Sequence, residues 1–110
     1  MKIDKMVNNI TMFLYLYRLH ARKLLKKIEN EDAKALLLIS YKEDDILELL
    51  NEIIQEREIF KDLVEKNELD KAYRLYKDIE YKYKLAENIL TDRIEELVKI
   101  RAFDIMKSNH

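Results

Sequence analysis

The sequence predicts an all-α fold, an antiparallel helical bundle of three long helices plus one short connecting helix, within a single domain spanning residues 1–110. Three observations carry this expectation. Apolar residues recur at alternating four- and three-residue steps over most of the chain, the period of a helix that buries one stripe against a partner helix. Gly and Pro are both absent, which removes the usual residues of tight strand-to-strand turns. Hydrophobic residues make up 48% and charged residues 39%, the balance of helices with one buried and one solvated face rather than of a disordered tail.

The first helix is read from Ile3 through Val7, Ile10, Leu14, Tyr17, Ala21, Leu24 and Ile28, every stop apolar or aromatic. Asn30 and Asp32 interrupt the stripe, and Ala33 to Ile39 read as a short helix or turn. Ser40 with Glu43 three positions later has the spacing of a capping box, which predicts a second long helix from about Tyr41. Asp44 and Asp45 suit the positive end of its dipole. Its seam runs Ile46, Leu50, Ile53, Arg57, Phe60, Val64.

Asn67 followed by Asp70 offers a further cap, after which no breaker occurs before the C-terminus. The last seam reads Leu69, Ala72, Tyr76, Ile79, Tyr83, Ala86, Leu90, Arg93, Leu97, Ile100. A helix of that length, about 57 Å if unbroken at 1.5 Å per residue, exceeds what either other helix covers, so the excess packs on another chain, extends into solvent, or breaks and folds back, with Thr91-Asp92 the place for a kink. The surplus apolar surface at Leu90, Leu97 and Ile100 predicts association into a homo- or hetero-oligomer through this last helix.

Absent Cys excludes a disulfide framework and a thiolate metal site, and suits a cytoplasmic protein. The apolar stretch Met12 to Tyr17 is too short to span a membrane. No glycine-rich phosphate loop is possible, and the two serines, Ser40 and Ser108, have no base beside them. Catalysis, cofactors and small-molecule ligands are therefore not expected. His20 lacks the Glu three positions earlier that a di-metal helix motif needs, His110 is terminal, and Glu43, Asp44, Asp45 and Glu48 read as a helix start rather than a cation site.

Charge is segregated along a chain whose net charge is −1. Residues 1–27 carry seven basic and one acidic side chain, residues 28–70 five and fourteen, and residues 71–110 nine and seven. Arg18, Arg22 and Lys26, four apart and flanked by Lys23 and Lys27, form a basic stripe that an acidic surface or a phosphate backbone could meet. The plainer reading is pairing of the first helix with the acidic second one. Arg57 and Arg93 occupy seam positions, which implies either an ion pair that fixes register or a drift of the stripe that puts Arg93 at the rim and Ile94 inside. The run from Tyr73 to Lys84 alternates tyrosines with cations, as single-strand binders do, although Tyr76 and Tyr83 lie in the seam.

Two segments resemble the GINS family of replicative helicase accessory subunits. Residues 36–50, Leu-Leu-Leu-Ile-Ser-Tyr-Lys-Glu-Asp-Asp-Ile-Leu-Glu-Leu-Leu, resemble its apolar run followed by an acidic helix start. Asp92-Arg93-Ile94 ahead of Leu97-Val98-Lys99-Ile100 resembles its final helix, with Arg93 six rather than three positions before Lys99. The resemblance implies a non-catalytic subunit that bridges the MCM helicase and a RecJ-like partner in DNA replication, with Arg93 and Lys99 ordering the last helix at subunit contacts. The alternative expectation is a small helical nucleic-acid-associated regulator of archaeal, viral or plasmid origin that uses the basic stripe.

Overall fold

A computed structural model describes residues 1–108. It is all-α: α1 (Lys2–Lys27), α2 (Glu31–Ser40), α3 (Asp44–Glu65) and α4 (Leu69–Ser108). The molecule is a rod, 66 Å long and 17 Å across in both other directions.

Cross-helix bonds fix the directions. Asp45 meets Arg93 and Glu56 meets Lys82, so α3 and α4 run oppositely. Asp4 meets Arg57 and Arg18 meets Glu43, so α1 also opposes α3. Asn9 meets Tyr83 while the backbone at Glu29 and Asn30 meets Asp104, so α1 and α4 are parallel. After Asn30 the chain turns back, and Tyr41 at the end of α2 stacks on Tyr17 of α1. The chain is thus three rods rather than an alternating four-helix bundle: α1, then α2 and α3 end to end, then α4.

Within this arrangement the apolar residues expected to be surplus on the last helix are covered. Leu90, Leu97 and Ile100 are 0%, 5% and 2% exposed, buried in one cluster with Leu14, Tyr17, Leu24, Ala33 and Leu37 of α1 and α2. The surplus length is covered by the chain itself, because α2 and α3 in tandem nearly match α4. The expected kink is also absent. α4 runs unbroken for 40 residues, and the Thr91 hydroxyl turns back on its own helix, donating to the Glu87 carbonyl 2.9 Å away.

The helix ends differ from the expected caps. Ser40 is the last residue of α2, and Glu43 precedes α3 without a side-chain cap bond, because the Glu43 carboxylate is occupied by Arg18 and Tyr41. Asn30 instead caps α2, accepting from the Ala33 N–H at 3.0 Å. Asn67 caps nothing with its side chain; it takes the left-handed conformation at φ 61°. Its N–H bonds the Val64 carbonyl and the Glu68 N–H bonds that of Leu63, the paired pattern of a Schellman C-cap. With no glycine in the chain, Asn is the residue that tolerates this conformation best.

Two apolar clusters fill the rod. The larger occupies the end built from α1, α2 and the C-terminal half of α4. The smaller holds Ile3, Met6, Ile53 and Ile79, beyond which Val64 and Leu69 are exposed at the α3–α4 turn.

Candidate functional site

The joint between α2 and α3, residues 41–43, gathers the polar groups of three rods. Tyr41 and Lys42 leave the helix because the Tyr41 ring stacks on Tyr17, centroids 4.8 Å apart and planes 13° from parallel. Arg18 grips Glu43 with two bonds of 2.8 and 2.9 Å, and Tyr41 donates to the same carboxylate at 2.6 Å. Arg93 reaches across from α4 to Asp45 with two bonds of 2.6 Å and to the Lys42 carbonyl at 2.8 Å. The Lys42 N–H donates to the Tyr17 hydroxyl at 3.3 Å. Bidentate Arg–carboxylate pairs are the geometry in which an ion pair carries orientation as well as charge.

The titration behaviour follows. The Arg18 guanidinium, and then the Tyr41 hydroxyl, hold the Glu43 carboxyl below its usual range, and Arg93 does the same for Asp45. Burial, reinforced by the bond to Glu43, pushes the Tyr41 phenol up to about 12. Burial also raises Tyr17.

Arg93 therefore sets the register between α4 and α3 within one chain. Its side chain is 20% exposed, and Ile94 packs partly buried against the large cluster, so the ion-pair and drift readings both describe part of what occurs. Arg57 lies likewise at a rim, bonded to Asp4 at 2.8 Å and to Glu58 at 3.2 Å. Lys99 is exposed and makes no ion pair among the described residues.

A second polar knot was not foreseen. Asp104 is 1% exposed and is the one buried charged residue among those described. Its Oδ1 accepts from the Asn30 N–H at 2.8 Å and the Glu29 N–H at 3.1 Å, while Arg101 donates to Oδ2 at 2.7 Å. These backbone donors, Asn30 first, hold its carboxyl below the usual range. The residue clamps the α1–α2 turn onto α4. It is the next stop of the last seam after Ile100, so one more four-residue step would have found it.

The basic stripe divides. Arg18 is consumed by Glu43. Arg22, Lys23, Lys26 and Lys27 are exposed and make no ion pair among the described residues; the sole carboxylate of α1, Asp4, lies at the opposite end. On one side of this ridge, between α1 and α2, a groove of about 500 Å³ is lined by Ala21, Arg22, Leu25, Leu37, Leu38 and Tyr41 among others. On the other, between α1 and α4, a groove of about 470 Å³ is lined by His20, Lys23, Leu24, Lys27, Ile94, Leu97, Val98 and Arg101. His20 is exposed; His110 lies outside the described residues.

The tyrosine-rich run divides, with Tyr73 and Tyr81 exposed and Tyr76 and Tyr83 half-buried in the seam. Tyr76 packs on Phe60 at 6.1 Å, and the Tyr83 hydroxyl accepts from Asn9 and donates to Glu87. Lys82 is held by Glu56, Asp78 and Glu52, and Lys84 by Glu80 at 3.9 Å. Among the described residues no group of three or more His, Cys, Asp or Glu side chains is placed to hold a metal ion, and no helix is long and apolar enough to cross a membrane. No protein-family model, curated protein or solved structure matches the chain.

Proposed function

We propose that the protein is a non-catalytic helical interaction module that presents the C-terminal half of α1 to an acidic protein partner. The observation that carries this reading is the ridge of Arg22, Lys23, Lys26 and Lys27, exposed and without carboxylate partners, flanked on both sides by apolar grooves. Arg18, Arg57, Lys82, Arg93 and Arg101 by contrast all have carboxylates in reach, and the other cations without an ion pair among the described residues, such as Lys34, Arg74 and Lys99, do not form a contiguous run like this one. Exposed like charges repel one another, and a partner with acidic groups relieves that cost while steering the encounter. The interleaved Leu25, Leu38 and Val98, all exposed, favour a protein surface over a phosphate backbone, since phosphate contacts need no apolar floor.

The sharper form of the proposal comes from the resemblance: a GINS-type component that joins the MCM helicase and a RecJ-like protein in DNA replication. Its support is the two sequence segments that carry the likeness.

The test is affinity capture from the native cell extract with the wild-type chain and with a variant carrying Arg22→Glu, Lys23→Glu, Lys26→Glu and Lys27→Glu. The expected result is an acidic protein that survives nuclease treatment and is lost with the variant. Capture unchanged by the four reversals, or abolished by nuclease, contradicts the proposal; the second outcome supports the nucleic-acid regulator.

A further inference from the structure

Of the two grooves beside the ridge, the one between α1 and α4 differs in its lining. Leu24, Leu97 and Ile94 form the floor, Val98 stands 65% exposed at the edge, and Lys23 and Lys27 stand on the wall with His20. No carboxylate lines it. The groove between α1 and α2 contains Glu43 and has Arg18 spent on that carboxylate, which leaves Arg22 as its one cation without an ion pair among the described residues, against Lys23 and Lys27 in the other groove.

Lys23 and Lys27 are one helical turn apart, about 6 Å along the axis. The α1 segment 20–27 and the α4 segment 94–101 run parallel along the groove, each covering about 10 Å. Two turns of a helix fit that length. A docked helix with apolar residues at i and i+4 would set them on Ile94 and Val98, four apart on α4, with Leu24 beside them on α1, and carboxylates four apart on its flank would face Lys23 and Lys27.

We infer that the α1–α4 groove is the docking site for an acidic amphipathic helix of a partner protein, bound with its apolar stripe on Ile94 and Val98 and its carboxylates on Lys23 and Lys27. This inference rests on the reading of the ridge as a protein-binding surface. Charge complementarity selects the acidic occupant. The apolar floor selects a helix face over a nucleic-acid backbone. The concave shape selects a convex insert over a membrane surface, which needs a protruding apolar face.

The experiment is calorimetric titration of the full chain with a synthetic helical peptide of about three heptads, Leu on one face and Glu beside it. Parallel titrations use the same peptide with Leu replaced by Ser, duplex DNA, and vesicles containing anionic lipid. Three variants are compared, each checked for helicity by circular dichroism: Lys23→Glu with Lys27→Glu, Val98→Asp, and Arg22→Glu with Lys26→Glu. The expected result is that the first two each weaken peptide binding about tenfold or more, while the third changes it less than about threefold, and the Ser peptide binds at least tenfold more weakly. Amide resonances of residues 20–27 and 94–101 then shift on titration. Loss confined to the Arg22 and Lys26 variant overturns the groove and leaves the acidic-partner reading standing. Undiminished binding of the Ser peptide, or preferential binding of DNA or vesicles at these residues, overturns the groove as a helix site. Peptide binding indifferent to all three variants, or absent altogether, overturns both.

Discussion

The two ends of the rod are built to different standards. At the end formed by α1, α2 and the C-terminal half of α4, three rods meet around Tyr17, Leu90, Leu97 and Ile100, and two polar knots tie the chain turns down. At the other end, among the described residues, α3 and α4 alone extend beyond Ile3, turning through Asn67 with Val64, Leu69 and Tyr73 exposed. A two-helix tip buries one stripe per helix at most, whereas three rods enclose theirs. Stability and the candidate binding surface therefore coincide at one end, and the tip is where local opening costs least.

The strongest test of that contrast is Tyr17→Ala. The ring is 1% exposed, stacks on Tyr41 and accepts from the backbone at the α2–α3 joint, so its loss should cost about 3–5 kcal/mol in denaturant melts. A cost below about 1 kcal/mol would mean that the large cluster is not the centre of stability. Arg93→Ala should follow at about 1–2 kcal/mol, discounted from a fully buried pair because Asp45 is 47% exposed. Arg93→Leu should recover part of the loss by packing beside Ile94. Equal melts for Arg93→Ala and the wild type would reduce the joint to a surface pair.

Acid should act on the same end. The carboxyls of Glu43, Asp45 and Asp104 titrate lower in the folded chain than in the unfolded one. Their contribution is therefore complete above the unfolded values, near pH 4 to 4.5. It is lost as pH falls through the depressed folded values, since protonation favours the unfolded chain. Near-ultraviolet signals from Tyr17 and Tyr41 should weaken below about pH 4 before the bulk of the helix signal does. Loss of both together would remove the distinction between the ends.

At the tip the effects should be small. Asn67→Ala should cost about 1 kcal/mol, because a Cβ without a side-chain amide tolerates the left-handed region less well, and Asn67→Gly should be neutral or slightly stabilising. Val64→Ala should change stability by less than about 0.5 kcal/mol, as at other exposed sites. A loss of 2 kcal/mol or more at Val64 would mean that the tip is packed after all, for example by a second chain.

Much of the helix pattern was legible because a heptad seam records burial directly. Ile3, Ile10, Leu14, Tyr17, Ala21 and Leu24 are buried as the stepping implied, whereas Val7 and Ile28 are half-buried, Met6 is buried off the seam, and the seam stops Val64 and Leu69 are exposed. Directions and coverage were not legible. A seam states which face is covered but not by what, so the length of α4 suggested a second chain, whereas α2 and α3 laid end to end do the covering. The cap at Ser40 was misplaced for a related reason: the stacking of Tyr41 on Tyr17 is a contact 24 positions apart in sequence, and it ends α2 and takes the Glu43 carboxylate away from the helix start. Asp104 escaped notice because a seam is sought among apolar residues. The basic stripe of α1 was visible, but only the structure separates Arg18, which is paired, from Lys23 and Lys27, which line a groove.

At the end that carries the ridge, one chain closes its own core. Native-state hydrogen exchange followed by amide resonances at two protein concentrations, about tenfold apart, tests this most directly. The slowest exchange is expected at residues 86–100 of α4 and 14–24 of α1, the fastest helical exchange at residues 60–65 and 69–75, and no change with concentration. Protection of Leu90, Leu97 and Ile100 that rises with concentration would contradict it, because their cover would then be supplied by another copy.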